Sequence, residues 1–233
     1  LRGSIPGAGE PAGGLTGTWD GTTKNWSSAF SPTVYQAWAD GAFVNLGRST
    51  DATNNAVITV AGSKTVSGLF ATLTAAAGTN REFSFVGAAA GTQLALTGSS
   101  ATFLIGSSDS TRGVSLNTTG ANFSLGASTT TLVKDGNGKL VIGNSSNFLS
   151  FDAFTGNVVI RSGPFSLSSQ ASLAGVERFD VVGYRPSVVN VNANGNQGFT
   201  SPTLSINLPN TAGTVNRIND NAILALTRGQ LEL

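Results

Sequence analysis

The sequence predicts an all-β protein, a β-solenoid of short stacked strands, and three observations carry that expectation. Apolar residues alternate with small polar ones in runs of three to six residues, the period of a strand with one buried face. Gly (30 residues), Ser, Thr and Asn separate the runs and suit the backbone of tight corners. No segment sustains the 3.6-residue period of an amphipathic helix.

Taken in order, residues 1–14 (LRGSIPGAGEPAGG) hold two Pro and five Gly and read as a linker or irregular lead-in. Residues 15–55 read as a Trp-rich cap, because they contain all three Trp (Trp19, Trp26 and Trp38) and two Asp-Gly pairs, Asp20-Gly21 and Asp40-Gly41. Asp-Gly favours tight turns and Trp supplies apolar surface, so a compact hairpin pair is expected there, with a short helical turn near Val34–Ala39. Residues 56–233 read as solenoid repeats. Their runs are VITV (57–60), TVSGLF (65–70), FSFV (83–86), LALTG (94–98), TFLI (102–105), VSL (114–116), FSL (123–125) and TLVK (131–134). KLVIG (139–143), VVIR (158–161), FSL (165–167), FDVV (179–182), VVNV (188–191), LSINL (204–208), ILALT (223–227) and LEL (231–233) follow. Roughly twenty strands exceed what one ordinary β-sandwich holds, which leaves the sandwich as the alternative and the solenoid as the expectation.

Composition narrows function. With no Cys there is no disulfide and no thiolate ligand, and with no His the side chain best suited to proton transfer near neutral pH is missing. A chain with no Met lacks a start residue, so a processed, excised or partial polypeptide is expected. Freedom from Met and Cys also suits an oxidising, extracellular setting. The net charge of +1, with 11% charged residues and no basic stripe, argues against nucleic acid. No apolar run approaches the roughly 20 residues of a membrane helix.

The stretch 131–167, TLVKDGNGKLVIGNSSNFLSFDAFTGNVVIRSGPFSL, resembles the autotransporter-associated β-strand repeat of bacterial surface passenger proteins. Lys134, Gly136, Gly138, Leu140, Ile142, Gly143, Phe154, Gly156, Val158, Ile160, Gly163 and Leu167 match that pattern. TRGQLEL (227–233) is similar to its strand-closing element, and GTWDGTTKNWS (17–27) with Trp38 to the segment that precedes such repeats. The resemblance implies a right-handed parallel β-helix, secreted or displayed at the cell surface, with no transferable catalytic residues.

Chemistry-bearing residues are sparse, and no catalytic, cofactor-binding or metal-binding residue is assigned. The 12 carboxylates are scattered, and only Glu177 and Asp180 are close neighbours. A β-helical polysaccharide lyase needs a base beside an acidic cluster, and Arg161, Arg178 and Arg185 with Asp152, Glu177 and Asp180 make the one candidate group. Asp135-Gly136-Asn137-Gly138 hints at a calcium loop but lacks further acidic ligands. Gly62-Ser63-Lys64-Thr65 ends like a phosphate-binding loop, yet position 57 is Val where that motif needs Gly. Trp19, Trp26 and Trp38 suit a sugar-stacking platform or, more simply, a small core. Asn25, Asn117, Asn122 and Asn144 lie in glycosylation sequons. The expected function is an extracellular structural or adhesive surface protein that self-associates end to end into fibres, with surface carbohydrate or a host-surface ligand as a further partner. An extracellular polysaccharide lyase or hydrolase and a viral tail-fibre protein are the alternatives.

Overall fold

A computed structural model of the chain describes residues 2–3, 17–22, 26–27, 37–49, 56–73, 82–107, 112–116, 123–143, 149–168, 171–183, 202–206 and 218–232. All regular structure in them is strand. The strands are β1 (Arg2–Gly3), β2 (Gly17–Trp19), β3 (Trp26–Ser27), β4 (Phe43–Ser49), β5 (Ala56–Val60), β6 (Lys64–Val66) and β7 (Gly68–Leu73). Next come β8 (Glu82–Gly87), β9 (Thr92–Leu96), β10 (Ser100–Ser107), β11 (Gly113–Leu116), β12 (Phe123–Leu125), β13 (Thr131–Asp135) and β14 (Lys139–Ile142). The last are β15 (Leu149–Ser150), β16 (Val158–Ile160), β17 (Pro164–Leu167), β18 (Ala171–Ser172), β19 (Arg178–Val181), β20 (Thr203–Ile206), β21 (Ile223–Leu226) and β22 (Gln230–Glu232).

The strands sort into sheets by counting in threes. One nine-stranded sheet runs β21-β19-β16-β13-β10-β7-β4-β1-β3, and an eight-stranded sheet runs β2-β5-β8-β11-β14-β17-β20-β22. Two short sheets, β12-β9-β6 and β15-β18, take the remaining strands. From β4 to β18 the chain visits the large sheets and then a short one in fixed rotation; in the two large sheets each strand pairs in parallel with the one three places on, while the short-sheet pairing is interrupted between β12 and β15. Among the described residues the exception to parallel pairing is β3, which runs antiparallel on β1. Parallel neighbours need a crossover rather than a hairpin, and here the crossover consists of the strands of the other sheets.

Register stacks like residues into columns. In the eight-stranded sheet Phe83, Val114, Leu140, Phe165 and Leu204 follow one another, and beside them Ile58, Phe85, Leu116, Ile142, Leu167 and Ile206. All are buried in one continuous core. The alternation that predicts each strand thus also builds the core, because every second side chain points inward. The Phe-Ser-Leu runs place Phe and Leu inside, with Ser half-exposed between them. Trp19 and Trp38 belong to the same core: their rings meet edge-to-face at 4.5 Å, with Phe85 6.0 Å from Trp19. Asp40 secures this corner, accepting from the Trp38 indole N–H and the Thr65 amide, each at 3.2 Å.

Close stacking needs glycine where neighbours bear in. Gly113 lies in register between Glu82 and Lys139, whose side chains pair across it at 3.7 Å. A Cβ on Gly113 would stand 2.5 Å from Lys139 Cγ and closer still to its carbonyl oxygen.

Most expected strands stand where the alternation places them. The run 188–191 lies outside the described residues, as do residues 34–36 of the expected helical turn, and 37–39 carry no helix. Within 15–55, β4 stands in the nine-stranded sheet beside β7.

Candidate functional site

The lyase-like group does not converge. Arg178 projects from β19 and is held by Asp180 two residues on: its Nε donates to both carboxylate oxygens at 2.9 and 2.8 Å, and one terminal nitrogen lies 2.7 Å from Oδ1. That pair raises the Arg178 pKa, through hydrogen bonding first and charge second. In register Arg178 falls opposite position 157, while Arg161 lies four residues further along the neighbouring strand, about 13 Å at the strand rise. Asp152 stands at another corner. Its Oδ1 accepts from the Ser172 hydroxyl and the Ala174 amide, both at 2.6 Å, and its Oδ2 from the Ser150 hydroxyl at 2.8 Å. It is a tie between successive turns of chain, with both oxygens engaged. Glu177 is exposed, and Arg185 lies outside the described residues.

The other candidates resolve into structural roles. Lys64 turns inward and donates to the Ala61 and Ser63 carbonyls at 2.6 and 3.4 Å. Trp19 and Trp38 are buried rather than displayed as a platform. The asparagines of the four sequons lie outside the described residues. In 135–138, Asp135 Oδ1 accepts the Gly136 amide at 2.8 Å, and the Gly136 carbonyl accepts the ammonium of Lys134 at 2.7 Å. A calcium ion there would compete with the Lys134 Nζ for the Gly136 carbonyl and with the Gly136 amide for Asp135 Oδ1. Among the described residues no group of three or more Asp, Glu, His or Cys could hold a metal ion.

Two further features stand out. The first is Lys134, fully buried at 0% exposure in a column that reads Val44, Leu69, Phe103, Lys134, Ile160, Val181, Leu226. Its Nζ donates to three carbonyls: Gly136 at 2.7 Å, Ser162 in the next turn of chain at 2.8 Å and Asp135 at 3.3 Å. Three acceptors match the three donors of an ammonium. Burial nevertheless dominates and lowers its pKa to about 7, with the Asp135 charge opposing. The signal was present in the alternation, since Leu132 and Lys134 share a face.

The second is the edge formed by β21 and β22. The inward columns of the nine-stranded sheet end on Leu224 (36% exposed) and Leu226 (49%), with Ile223 at 55%. Their register partners Phe179 and Val181 are each 1% exposed. Among the described residues neither β21 nor β22 has a strand on its far side. At the opposite end, β1 and the antiparallel β3 follow β4. An uncovered strand edge with apolar residues on its inner face is a template for another strand.

Comparison with protein families, with curated proteins and with solved structures finds no match for this chain.

Proposed function

We propose that the chain is a structural or adhesive surface protein built as a right-handed parallel β-helix, whose open edge takes up further β-structure end to end. The rotation through the sheets with a step of three supports the β-helix, because a β-sandwich is assembled from antiparallel sheets. The handedness follows the general preference of parallel crossovers. The likeness of residues 131–167 to passenger repeats supports an extracellular setting, as does the absence of Cys and Met. The reading assigns no enzymatic role, in keeping with an Arg178 guanidinium paired to Asp180 on its own strand and an Asp152 carboxylate tied to the next turn of chain.

One observation carries the reading: the inward columns stay buried from turn to turn until Leu224 and Leu226, and there, among the described residues, they stand open along an unpaired edge. A strand added to β21 would cover both leucines and satisfy the edge backbone. Sedimentation velocity over a range of concentrations, with negative-stain microscopy, tests this. Concentration-dependent rods that vanish in Leu226→Asp are expected, and monodisperse globular monomers at high concentration would remove the proposal. Release of unsaturated products from acidic polysaccharides, lost in Arg178→Ala, would favour the lyase instead.

A further inference from the structure

The geometry points to the corner where residues 134–138 meet 161–163 as the pH-dependent breaking point of the fold, opening as a unit when Lys134 takes up a proton. The corner is tight. Gly163 holds φ +68°, and a Cβ on it would stand 2.5 Å from the Gly136 carbonyl oxygen and 2.9 Å from that of Asn137. The Lys134 Nζ bridges these two turns through Gly136 and Ser162. Above and below, its stem is flanked by Phe103 and Ile160.

Among the described residues no carboxylate meets the Lys134 Nζ. Asp135 is the charge that acts on it, and its Oδ1 is turned to the Gly136 amide. The packed strands β10 and β16 carry no ionisable side chain. On the turns beyond them, Arg161 is exposed and Lys139 of β14 pairs with Glu82. Arg112 is buried, and its carbonyl accepts the Lys139 amide. Among the described residues the amine therefore rests on carbonyl dipoles alone. Solvent relieves that burial, so any opening that wets Lys134 is favoured when the amine is protonated outside and neutral inside.

Amide hydrogen exchange on the wild-type chain from pH 9 to 6.5, corrected for intrinsic rates, tests this. The opening constant of the amides of Gly138, Lys139 and Arg161 should rise about ten-fold per pH unit as pH falls from 9 and level off near 7, the slope of one proton. Amides of β7 and β8 should show less dependence, and Lys134→Met should flatten the corner's profile. Uniform dependence in all strands, a flat profile at the corner, or a slope that survives Lys134→Met would each overturn the proposal. Titration of the Lys134 side chain by NMR needs no variant, and an amine still protonated above pH 9.5 would overturn it equally.

Discussion

Removing the same leucine side chain from the middle and from the open edge of the stack should have unequal consequences, and their ratio tests the architecture. Leu116 is fully buried, with Phe85 on one side of it in register and Ile142 on the other. Leu116→Ala deletes buried atoms and leaves a cavity closed on both sides, so a loss of about 3 kcal/mol is expected, within the range of roughly 2–5 for buried Leu→Ala. Leu226 occupies an equivalent inward position but is 49% exposed and, among the described residues, has a register neighbour, Val181, on one side only. Burying a whole Leu side chain is worth about 1.5–3 kcal/mol, so half of it gives about 1, with no closed cavity to add. Urea unfolding at a protein concentration below any association provides the assay, with thermal melting as a second readout. For a chain of this size 1 kcal/mol moves the midpoint by about 2–4 °C, so falls of about 9 and 3 °C are expected. Equal losses, or a larger loss at Leu226, would refute the reasoning, because the edge would then be as enclosed as the centre.

Three further outcomes follow from named contacts. The lowered Lys134 pKa means that between about 7 and 10.5 the unfolded chain binds more protons than the folded one. Stability should therefore rise with pH across that window, by about 2 kcal/mol from pH 7.5 to 9, and stay level below 7. Urea titrations at each pH should show this in the wild type and not in Lys134→Met, and the comparison is clean because the chain has no His or Cys to titrate nearby. Gly163→Ala forces a left-handed conformation on Ala and drives its Cβ toward the Gly136 carbonyl, so a loss of at least about 1–3 kcal/mol by denaturant unfolding is expected. Arg178→Ala breaks an ion pair on the solvent side of β19 and should leave the thermal midpoint unchanged.

Much of the fold was legible because strand alternation is local. Phe123-Ser124-Leu125 and Phe165-Ser166-Leu167 declare their inward and outward faces without reference to partners. Pairing was not legible, because the length of chain per turn varies. Ile160 meets Val181, 21 residues on, whereas Val181 meets Leu226, 45 residues on. No fixed period survives such insertions. The role of Gly113 depends on that hidden register, since nothing local links it to Glu82 and Lys139. Lys134 was half legible: alternation with Leu132 placed it inward, while its charge suggested the surface. Three carbonyls resolve that conflict, and two of them come from its own turn. Arg178 and Asp180 share a strand face two residues apart, so their pairing was readable from spacing alone.

The measurement that bears most directly on the stacked architecture is a set of spin-label distances along one register column, labelled at its more accessible positions. Val57, Ser84, Ser115, Val141, Ser166, Ser205 and Glu232 follow one another in register across the eight-stranded sheet. The chain has no Cys, so a cysteine pair can be introduced cleanly. With a step of about 4.8 Å per strand, labels at 57 and 166, 57 and 205, and 57 and 232 should lie about 19, 24 and 29 Å apart, apart from a common label offset. A steady rise in that order is the predicted result. A reversal in that order, or equal distances for any two pairs, would contradict the stack.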